Sequence, residues 1–410
     1  MKKRIVVIAE YFPPRLGGDR RIFELMKRLS KKYDIHFITL PSAYTLFIRK
    51  IDSYNREENQ ILYEGMRGHR LVLPRLILNL WTRSFLLAFA VTMPYLCIQL
   101  VRKTAKLKPE IMIVNNTSAY TGLLGFVCSK ILNRKLLVEY NDLQALYTVD
   151  LVRKRVSEFL LPTLRRALVS IEDIIVRRGW RVTAITEFIR DYALARNTRK
   201  DIVVIPDGVD TDLFDPAKSR GMDIRSEYGI TNQERLCMYA GRIDECAGAK
   251  IILETAKLLK SERNVKFMVI GEGDPQIVNE FHNCDNIILT GRIDKESVPE
   301  YLAAADIILV PFPNNVASHS ISPLKLFEAL AMEKPVIGSA VSGIKEVVAQ
   351  DFDVKLASDS PKYWASAVME LAENCNNTTC QRGNGRKIVC QKYDWNHLAE
   401  EFGRIIEGGI

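Results

Sequence analysis

Short runs of β-branched and aliphatic residues alternate with amphipathic helical patterns along the whole 410-residue chain. The runs in the first half are 4–9, 35–40, 111–116, 135–140, 181–186 and 202–206. Those in the second half are 236–242, 265–271, 286–291, 307–312, 335–340 and 352–357. Because the runs are continuously apolar, they predict parallel strands with helices on both faces of each sheet. Two such sets predict two doubly wound α/β domains.

The charge of the chain changes sign near its middle. Residues 1–200 have a net charge of +19, whereas residues 201–410 have a net charge of −10. We expect an N-terminal domain over 1–195, a C-terminal domain over 196–392, and a break near 187–205. The basic half favours an anionic partner, either a membrane surface or nucleic acid. Its positive residues are not interleaved with aromatic platforms, which makes nucleic acid the weaker interpretation.

Residues 84–101 form a stretch of 18 residues without a charge, followed by Arg102 and Lys103. This length is at the threshold for a membrane-spanning helix. A single crossing conflicts with the strands at 4–9 and 111–116, which should share one sheet. The stretch is therefore expected to lie in the membrane interface, to form a re-entrant hairpin near Pro94, or to be a core helix. Together with this stretch, the basic residues at 153–155, 165–166 and 177–178 favour interfacial docking.

The eight cysteines are scattered, without a C-x-x-C pair or a histidine at metal-ligand spacing. This usage indicates reduced, mostly buried thiols in a cytosolic protein. Five apolar residues after the basic N-terminus are too few for a signal peptide and predict the first strand.

Glycines or polar loops follow four consecutive strands of the predicted second sheet. The first three are followed by Gly241-Arg242, by Gly271-Glu272-Gly273 and by Gly291, and the fourth by "SHSISPLKLFEAL". Ligands of open parallel sheets bind beyond the carboxyl ends of the strands, so these loops should converge. Arg242, Lys325 and a helix N-terminus can then face one anion. A ligand with phosphates beside a ribose would satisfy this cluster, with Glu328 accepting hydrogen bonds from two hydroxyls.

The helix after this fourth strand has two distinct faces. Pro323 suits a first helical position, and Ser320 or Ser322 can cap the helix. The core-facing positions, spaced i, i+3, i+4, are Phe327, Leu330 and Ala331. The second face is formed by Lys325, Glu328 and Met332. Taken alone, this second face would be read as a solvated Lys–Glu pair, and only the convergence of the strand ends favours a site.

In the first half, Gly17 and Gly18 follow the first strand and open a helix. A glycine pair allows close backbone approach, and helix-start amides attract anions, although a plain strand-to-helix turn has the same pattern. No G-x-G-x-x-G follows the first strand, which disfavours a dehydrogenase.

Several motifs together resemble the family 4 retaining glycosyltransferases of GT-B fold, in the subgroup with a PLKLFE motif. The resemblance implies two Rossmann-like domains facing across a cleft, with a C-terminal helix (393–410) packing back on the N-terminal domain. The motifs are "YFPPRLGG" (11–18), "VVIPDGVDTDLF" (203–214), "YAGRID" (239–244), "VIGEGD" (269–274), "LTGRI" (289–293), "AAADIILVPF" (303–312) and "SPLKLFEALAMEKPVIGS" (322–339).

The resemblance also implies roles for individual residues. Arg242, Lys325 and Glu328 would be catalytic, with Arg242 on the donor diphosphate, Lys325 on the phosphates and Glu328 on the ribose hydroxyls. The residues implied in donor binding are Gly17, Gly18, Gly241, Gly271, Glu272, Gly273, Arg292, Ile293, Ser320, Ser322, Pro323 and Leu324. Asn141 and Asp142 are candidate acceptor-side residues, in the region where the family often has a histidine that this chain lacks.

The implied reaction moves a sugar from a UDP- or GDP-sugar to a lipid-linked or glycan acceptor with retention of configuration. We expect no cofactor and no metal, and a cytoplasmic protein in peripheral contact with an anionic membrane. Two positions depart from the family pattern: Ala247 replaces a phosphate-binding lysine, and Ser320 replaces the first glutamate of a pair. They leave open a non-catalytic sugar-nucleotide-binding protein or a sugar-nucleotide epimerase on the same scaffold.

Overall fold

The computed structural model describes residues 2–14, 17–41, 60–83, 85–153, 156–196, 199, 201–349, 354–374 and 384–409. The chain divides into two compact α/β units. The first contains residues 1–206 together with 398–410, and the second contains residues 207–397. The division falls later than the predicted 195/196 boundary because the strand at Ile202–Val204 pairs with the sheet of the first unit.

The first unit is built on an eight-stranded sheet of order β3-β4-β2-β1-β5-β6-β7-β8. Its strands are β1 (Arg4–Ala9), β2 (Asp34–Thr39), β3 (Gln60–Tyr63), β4 (Met66–Arg70), β5 (Ile111–Val114), β6 (Lys135–Tyr140), β7 (Arg181–Ala184) and β8 (Ile202–Val204). Its helices are α1 (Gly17–Leu29), α2 (Arg75–Arg83), α3 (Phe85–Leu107), α4 (Thr121–Ile131), α5 (Gln144–Val152), α6 (Leu161–Arg178) and α7 (Glu187–Ala195). The central strands are wholly buried because helices cover both faces of the sheet.

The second unit is built on a six-stranded parallel sheet of order β11-β10-β9-β12-β13-β14. Its strands are β9 (Arg235–Ala240), β10 (Val265–Ile270), β11 (Ile287–Gly291), β12 (Ile307–Val310), β13 (Val336–Ser339) and β14 (Val354–Ala357). Its helices are α8 (Met222–Glu227), α9 (Ala249–Leu258), α10 (Pro275–His282), α11 (Val298–Ala304), α12 (Val316–His319), α13 (Leu324–Ala331), α14 (Ser342–Val348), α15 (Pro361–Asn374), α16 (Gly385–Lys392) and the first residues of α17 (Trp395–Glu407).

Each predicted strand is present, so the prediction of two doubly wound domains is confirmed. Of the last predicted strand, residues 352 and 353 lie outside the described residues. The hairpin β3–β4 was not predicted, because its strands are polar and exposed on one side. Its two-residue turn, Glu64-Gly65, has positive φ at both positions and supplies the only sequence signal for it.

Residues 85–101 of the apolar stretch lie in α3, which continues unbroken through Pro94, and residue 84 lies outside the described residues. A re-entrant hairpin at Pro94 is therefore wrong. One face of α3 is buried at every fourth residue, whereas Leu87 and Ile98 on other faces are each 53% exposed, so the helix is not a wholly buried core helix either. Among the described residues, no helix is both long enough and apolar enough to span a bilayer.

The C-terminal helix α17 runs from the second unit into the first, beginning at Trp395 and ending at Glu407. Its last turn lies against the end of α1, where Tyr33 donates a hydrogen bond to Glu407 (3.1 Å) and Lys32 forms an ion pair with the same carboxylate. Arg181 at the start of β7 donates to the carbonyl of Gly408 (3.2 Å). These contacts attach the chain terminus to the first unit.

Candidate functional site

The loops after β9, β10 and β11 touch one another at the carboxyl edge of the second sheet. Gly271 donates a backbone hydrogen bond to Gly291 (2.9 Å), and Gly241 donates to Ile270 (2.9 Å). A Cβ atom on Gly271 would lie 1.9 Å from the carbonyl oxygen of Gly241, and Gly271 has a φ of +144°. Only glycine at position 271 allows the two loops to approach this closely. The predicted convergence of these strand ends therefore depends on a glycine at that position.

Lys325 lies at the same edge, at the start of α13. A Cβ atom on Gly241 would be 3.3 Å from the Lys325 ammonium, which also lies over the rings of Tyr239 (4.5 Å) and Phe312 (4.7 Å). Tyr239 belongs to β9 and Phe312 follows β12. These two strands are neighbours in the sheet and mark the point where the strand order reverses, which is where open α/β sheets bind ligands.

Burial disfavours the charged form of Lys325 and lowers the pKa of its ammonium from 10.5 to about 7. The nearby Arg242 lowers this pKa further, while Asp244 and Glu328 oppose the shift. Aromatic faces stabilise a cation only partly, so this ammonium lacks the full solvation that a surface lysine has. An anion placed beside it would restore its charge.

Arg242 follows Gly241 in the loop after β9, and its side chain is exposed. Its guanidinium Nε lies 2.7 Å from a carboxylate oxygen of Asp244, and its backbone carbonyl accepts a hydrogen bond from the Tyr239 hydroxyl. The side chain of Asp244 also accepts a hydrogen bond from the backbone of Ala247 (2.7 Å). Burial and the Asp244 carboxylate raise the pKa of the Tyr239 phenol. Tyr239 and Asp244, which the sequence analysis did not single out, therefore shape the loop that presents Arg242.

The N-terminus of α13 differs from the prediction. Pro323 is the N-cap residue and the helix begins at Leu324, with no side chain capping it. The hydroxyl of Ser320 donates to Ala317 (2.7 Å), and that of Ser322 accepts from the backbone of Asp207 (3.0 Å). Neither serine acts as the predicted cap, because the Ser320 hydroxyl bonds within its own loop and the Ser322 hydroxyl bonds the distant Asp207.

The faces of α13 agree with the predicted spacing in part. Phe327, Leu330 and Ala331 are buried as expected, and Lys325 and Glu328 are half-buried on another face. Met332 is 1% exposed and belongs to the core, because the helix ends at Ala331 and the chain turns inward. Glu328 acts electrostatically on Lys325, one turn away.

The remaining predicted donor-side residues surround this edge. Gly273 forms a parallel bridge with Ile243, and the backbone of Ile243 donates to Glu272 (2.9 Å), so the two loops are joined. The side chains of Glu272 and Arg292 are exposed, and Ile293 is half-buried against the core.

The other predicted residues belong to the first unit. Gly17 and Gly18 form the start of α1. Asn141, directly after β6, is buried and donates to the carbonyl of Asn115 (2.8 Å). Asp142 is half-buried and accepts from Gln144 (3.3 Å). Asn115 and Asp19, which lie beside Asn141, were missed because nothing in their spacing distinguishes them from ordinary turn residues.

The described residues contain no group of three or more His, Cys, Asp or Glu side chains that could hold a metal ion. The described cysteines at 97, 128, 237, 246, 284 and 390 are thiols, and Cys246 and Cys390 are exposed rather than buried. The charged groups described at the second-unit edge thus include the exposed guanidiniums of Arg242 and Arg292, the half-buried ammonium of Lys325 and nearby carboxylates. This arrangement can receive an anion beside a hydroxyl-bearing group.

Two family models match the chain, one on each unit. The Glycosyltransferase Family 4 model matches residues 16–213, and the Glycosyl transferases group 1 model matches residues 234–374. A D-inositol 3-phosphate glycosyltransferase of Xylanimonas cellulosilytica is 27% identical over 214 residues, or 48% of this chain and 49% of that protein.

A second relative is the GDP-mannose-dependent alpha-(1-6)-phosphatidylinositol monomannoside mannosyltransferase of Mycobacterium tuberculosis. It is 23% identical over 237 residues, which are 55% of this chain and 61% of that protein. The chain thus spans about half to three-fifths of the length of the curated relatives it matches.

Among solved structures, Anabaena Alr3699/HepE in complex with UDP has the same fold. Its TM-score is 0.70 at 15% identity, with all of both chains covered. Together with the two doubly wound sheets, this similarity identifies the fold as GT-B. Each half of the chain is thus similar to a glycosyltransferase family model, and the fold is that of the GT-B structures.

Proposed function

We propose that the protein is a retaining, metal-independent glycosyltransferase. It transfers a hexosyl group from a UDP- or GDP-sugar to a lipid-linked or surface-glycan acceptor. The observation that carries this proposal is the position of the Lys325 ammonium beside Gly241, where β9 and β12 diverge. A half-buried ammonium with a lowered pKa needs an anion, and a diphosphate is the anion that a nucleotide sugar supplies.

In this proposal the second unit binds the donor. Arg242 and Lys325 neutralise the diphosphate, with the backbone amides around Leu324 pointing at its phosphates. Glu328 accepts hydrogen bonds from the ribose hydroxyls, and the loops at 271–273 and 291–293 hold the base. The HepE structure is a complex with UDP, and the mycobacterial relative is GDP-mannose-dependent, so both bases are candidates.

The chemical step requires the leaving diphosphate to be stabilised as positive charge develops on the sugar. Fixed cationic donors at the departing oxygens provide the largest electrostatic contribution to such a step. The acceptor hydroxyl attacks from the face that the diphosphate leaves, and its proton passes to the departing phosphate. Arginine and lysine supply the positive charge in this mechanism, and no protein nucleophile is required.

The proposal is tested by incubating the purified protein with UDP- and GDP-sugars and lipids extracted from a bacterial membrane. We expect release of the nucleoside diphosphate, and a glycolipid whose anomeric configuration by NMR equals that of the donor. An inverted anomer would contradict retention. Saturable nucleotide binding without turnover on any donor and acceptor would instead identify a non-catalytic sugar-nucleotide-binding protein, which the Arg242–Asp244 ion pair and Ala247 favour as the second candidate.

Replacing Arg242 by alanine should lower kcat about 100-fold, because a charged group at the leaving oxygens is worth roughly 3 kcal/mol in the transition state. The effect is measured as steady-state release of the nucleoside diphosphate. Arg263→Ala, an exposed arginine in the loop before β10, is the matched control and should change kcat less than twofold. An Arg242→Ala variant with wild-type kcat would remove Arg242 from the mechanism.

We also propose that the first unit docks on an anionic membrane at the cytoplasmic face. Phe159 is 88% and Leu160 53% exposed next to the exposed Arg153, and α6 carries four exposed arginines. Apolar side chains within a basic surface are the pattern of an interfacial protein. Residues 154 and 155, also basic, lie outside the described residues.

This docking predicts co-sedimentation with vesicles of phosphatidylglycerol but not with vesicles of phosphatidylcholine alone. Because each basic residue near the surface contributes about 1 kcal/mol, the bound fraction should fall as salt rises. Phe159→Ser should weaken binding several-fold, and Tyr363→Ser, which replaces an exposed aromatic residue of the second unit, should not. Equal binding to both vesicle types would contradict the electrostatic part of the proposal.

A further inference from the structure

Polar side chains also meet at the carboxyl edge of the first sheet. Asn115 directly follows β5, Asn141 directly follows β6, and Asp19 lies in the first turn of α1, which follows β1. The strands β1, β5 and β6 are neighbours, and the strand order reverses between β1 and β5. These residues therefore occupy the position of the first sheet where open α/β sheets bind ligands.

The directions of the hydrogen bonds determine how these three side chains are oriented. The amide of Asn141 donates to both the backbone oxygen (2.8 Å) and the side-chain oxygen (3.0 Å) of Asn115. Because that side-chain oxygen is the acceptor, the amide nitrogen of Asn115 is turned to Asp19, 3.4 Å from Oδ1. Asn141 thus fixes Asn115, and Asn115 fixes the carboxyl of Asp19.

A buried carboxylate holds the two loops that carry the asparagines. Glu172 of α6 accepts from the hydroxyl of Thr117 (3.0 Å), from that of Tyr140 (2.8 Å) and from the backbone of Ala145 (3.3 Å). Thr117 belongs to the loop after β5, and Ala145 to the first turn of α5, which follows the loop after β6. The positions of Asn115 and Asn141 are therefore held by the contacts of Glu172 and do not depend on a ligand.

The chemistry of this edge suits hydroxyl groups. Asp19 is 7% exposed, and burial, followed by the charge of Glu10, raises the pKa of its carboxyl to about 8. The negative charge of the nearby Glu10 disfavours phosphate, even though the first half of the chain is basic overall. Asn141 is 4% exposed, and its side-chain oxygen has no hydrogen-bond partner among the described residues. One hydrogen-bond acceptor of the Asp19–Asn115–Asn141 group is therefore unused.

We propose that Asp19 binds a hydroxyl group of a polyhydroxylated acceptor, such as a sugar ring, and that Asn115 and Asn141 are its positioning residues. The inference rests on the proposed function in assigning this ring to the acceptor. Binding of the ring itself requires no turnover and can fail or succeed independently. In this chain the second unit would offer cations to the donor, and the first would offer a carboxyl and amides to hydroxyls.

Direct binding is tested by saturation-transfer NMR with a panel of methyl glycosides and the full-length protein. Asp19→Leu, similar in shape but without hydrogen-bonding atoms, should reduce the transfer to at least one glycoside about tenfold, because a buried hydrogen bond is lost. Asp19→Asn should recover part of the signal. Asp191→Asn, an exposed aspartate of α7, is the control. No transfer from the wild-type protein to any glycoside, or equal transfer from Asp19→Leu, would overturn the inference.

A kinetic test separates this inference from the proposed function. With an active donor and acceptor pair, Asn141→Leu should raise the acceptor KM about tenfold while kcat at saturating acceptor changes less than threefold. A merely structural role would lower kcat and the melting temperature together. If nucleotide release occurs and the acceptor KM of Asp19→Leu is unchanged, the inference fails and the proposed function stands. If no donor is turned over, the glycoside binding still decides the inference.

Discussion

Replacing Lys325 by methionine should abolish most activity and, at the same time, stabilise the protein. We expect kcat/KM to fall by about 100- to 1,000-fold, at the upper end of what one electrostatic donor contributes, because this cation is less solvated than Arg242. The melting temperature should rise by at least about 2–4 °C, which corresponds to about 1 kcal/mol for a unit of this size. Activity is measured as nucleotide release, and stability by calorimetry.

The opposite signs of these two effects have one cause. In the free protein, burial lowers the pKa of Lys325 from 10.5 to about 7, so the folded state disfavours the charge that the unfolded chain accepts. This cost is fully present below pH 7 and declines as the pH rises toward 10.5, where the unfolded lysine also loses its proton. The stability gain of Lys325→Met should therefore be largest near pH 6 and small near pH 10.

Donor binding should show the complementary pH dependence. A diphosphate beside Lys325 favours the ammonium, so above pH 7 binding takes up a proton and the affinity falls with pH. Lys325→Arg keeps a charge at every pH and should bind with a flatter profile. Lys250→Met, an exposed lysine of α9 paired with Glu245, is the control for both measurements and should resemble the wild type. A Lys325→Met variant that is less stable than the wild type would show that Lys325 is a structural cation.

The sequence was sufficient to predict the features that depend on strand periodicity and on parallel-sheet geometry. Apolar runs predict the strands, and carboxyl ends of parallel strands share one edge, so Gly241, Gly271 and Lys325 could be placed together before any coordinates. The close contact between Gly271 and Gly241 gives this prediction its physical reason. No comparable rule exists for loops, and the capping of α13 was accordingly mispredicted.

The unpredicted features depend on contacts between distant parts of the chain. Ser322 suits a helix cap by its position, but its hydroxyl bonds the backbone of Asp207, more than a hundred residues away in sequence. Tyr239 looks like an ordinary strand residue until its ring is found beneath Lys325. Asp19 resembles a helix-start aspartate, whose pKa the helix dipole would lower, but its burial and the charge of Glu10 raise the pKa instead. Such effects follow from tertiary packing and leave no local pattern.

Arg21 and Glu139 form an ion pair at the centre of the first unit, and breaking it should have the largest effect on stability. The guanidinium of Arg21, a residue that is 1% exposed, lies 3.2 Å from the carboxylate of Glu139, a residue that is fully buried. Thr183 of β7 donates to the same carboxylate oxygen (3.1 Å), and Arg21 also donates to the carbonyl of Pro206 (2.6 Å), the last residue before the second unit begins. The pair therefore ties α1 to β6, β7 and the end of the first unit.

Arg21→Met should destabilise the first unit by about 3–5 kcal/mol, because it leaves a carboxylate buried with a single hydroxyl partner. This is a large share of the roughly 5–15 kcal/mol that holds a domain folded, so its melting temperature should fall by about 6–20 °C. Because the second unit has its own sheet and core, calorimetry should show the first transition moving while the second stays.

The charge, rather than the lost packing, should account for most of this destabilisation. Arg21→Met combined with Glu139→Gln removes both charges and keeps the hydrogen bond from Thr183, so it should recover more than half of the lost stability. Arg190→Met, which breaks an exposed pair with Glu187 and Asp191 on α7, should cost less than about 1 kcal/mol. If the double variant melts as low as Arg21→Met alone, the methylenes and donors of Arg21 hold the first unit together, and its pairing with Glu139 contributes little.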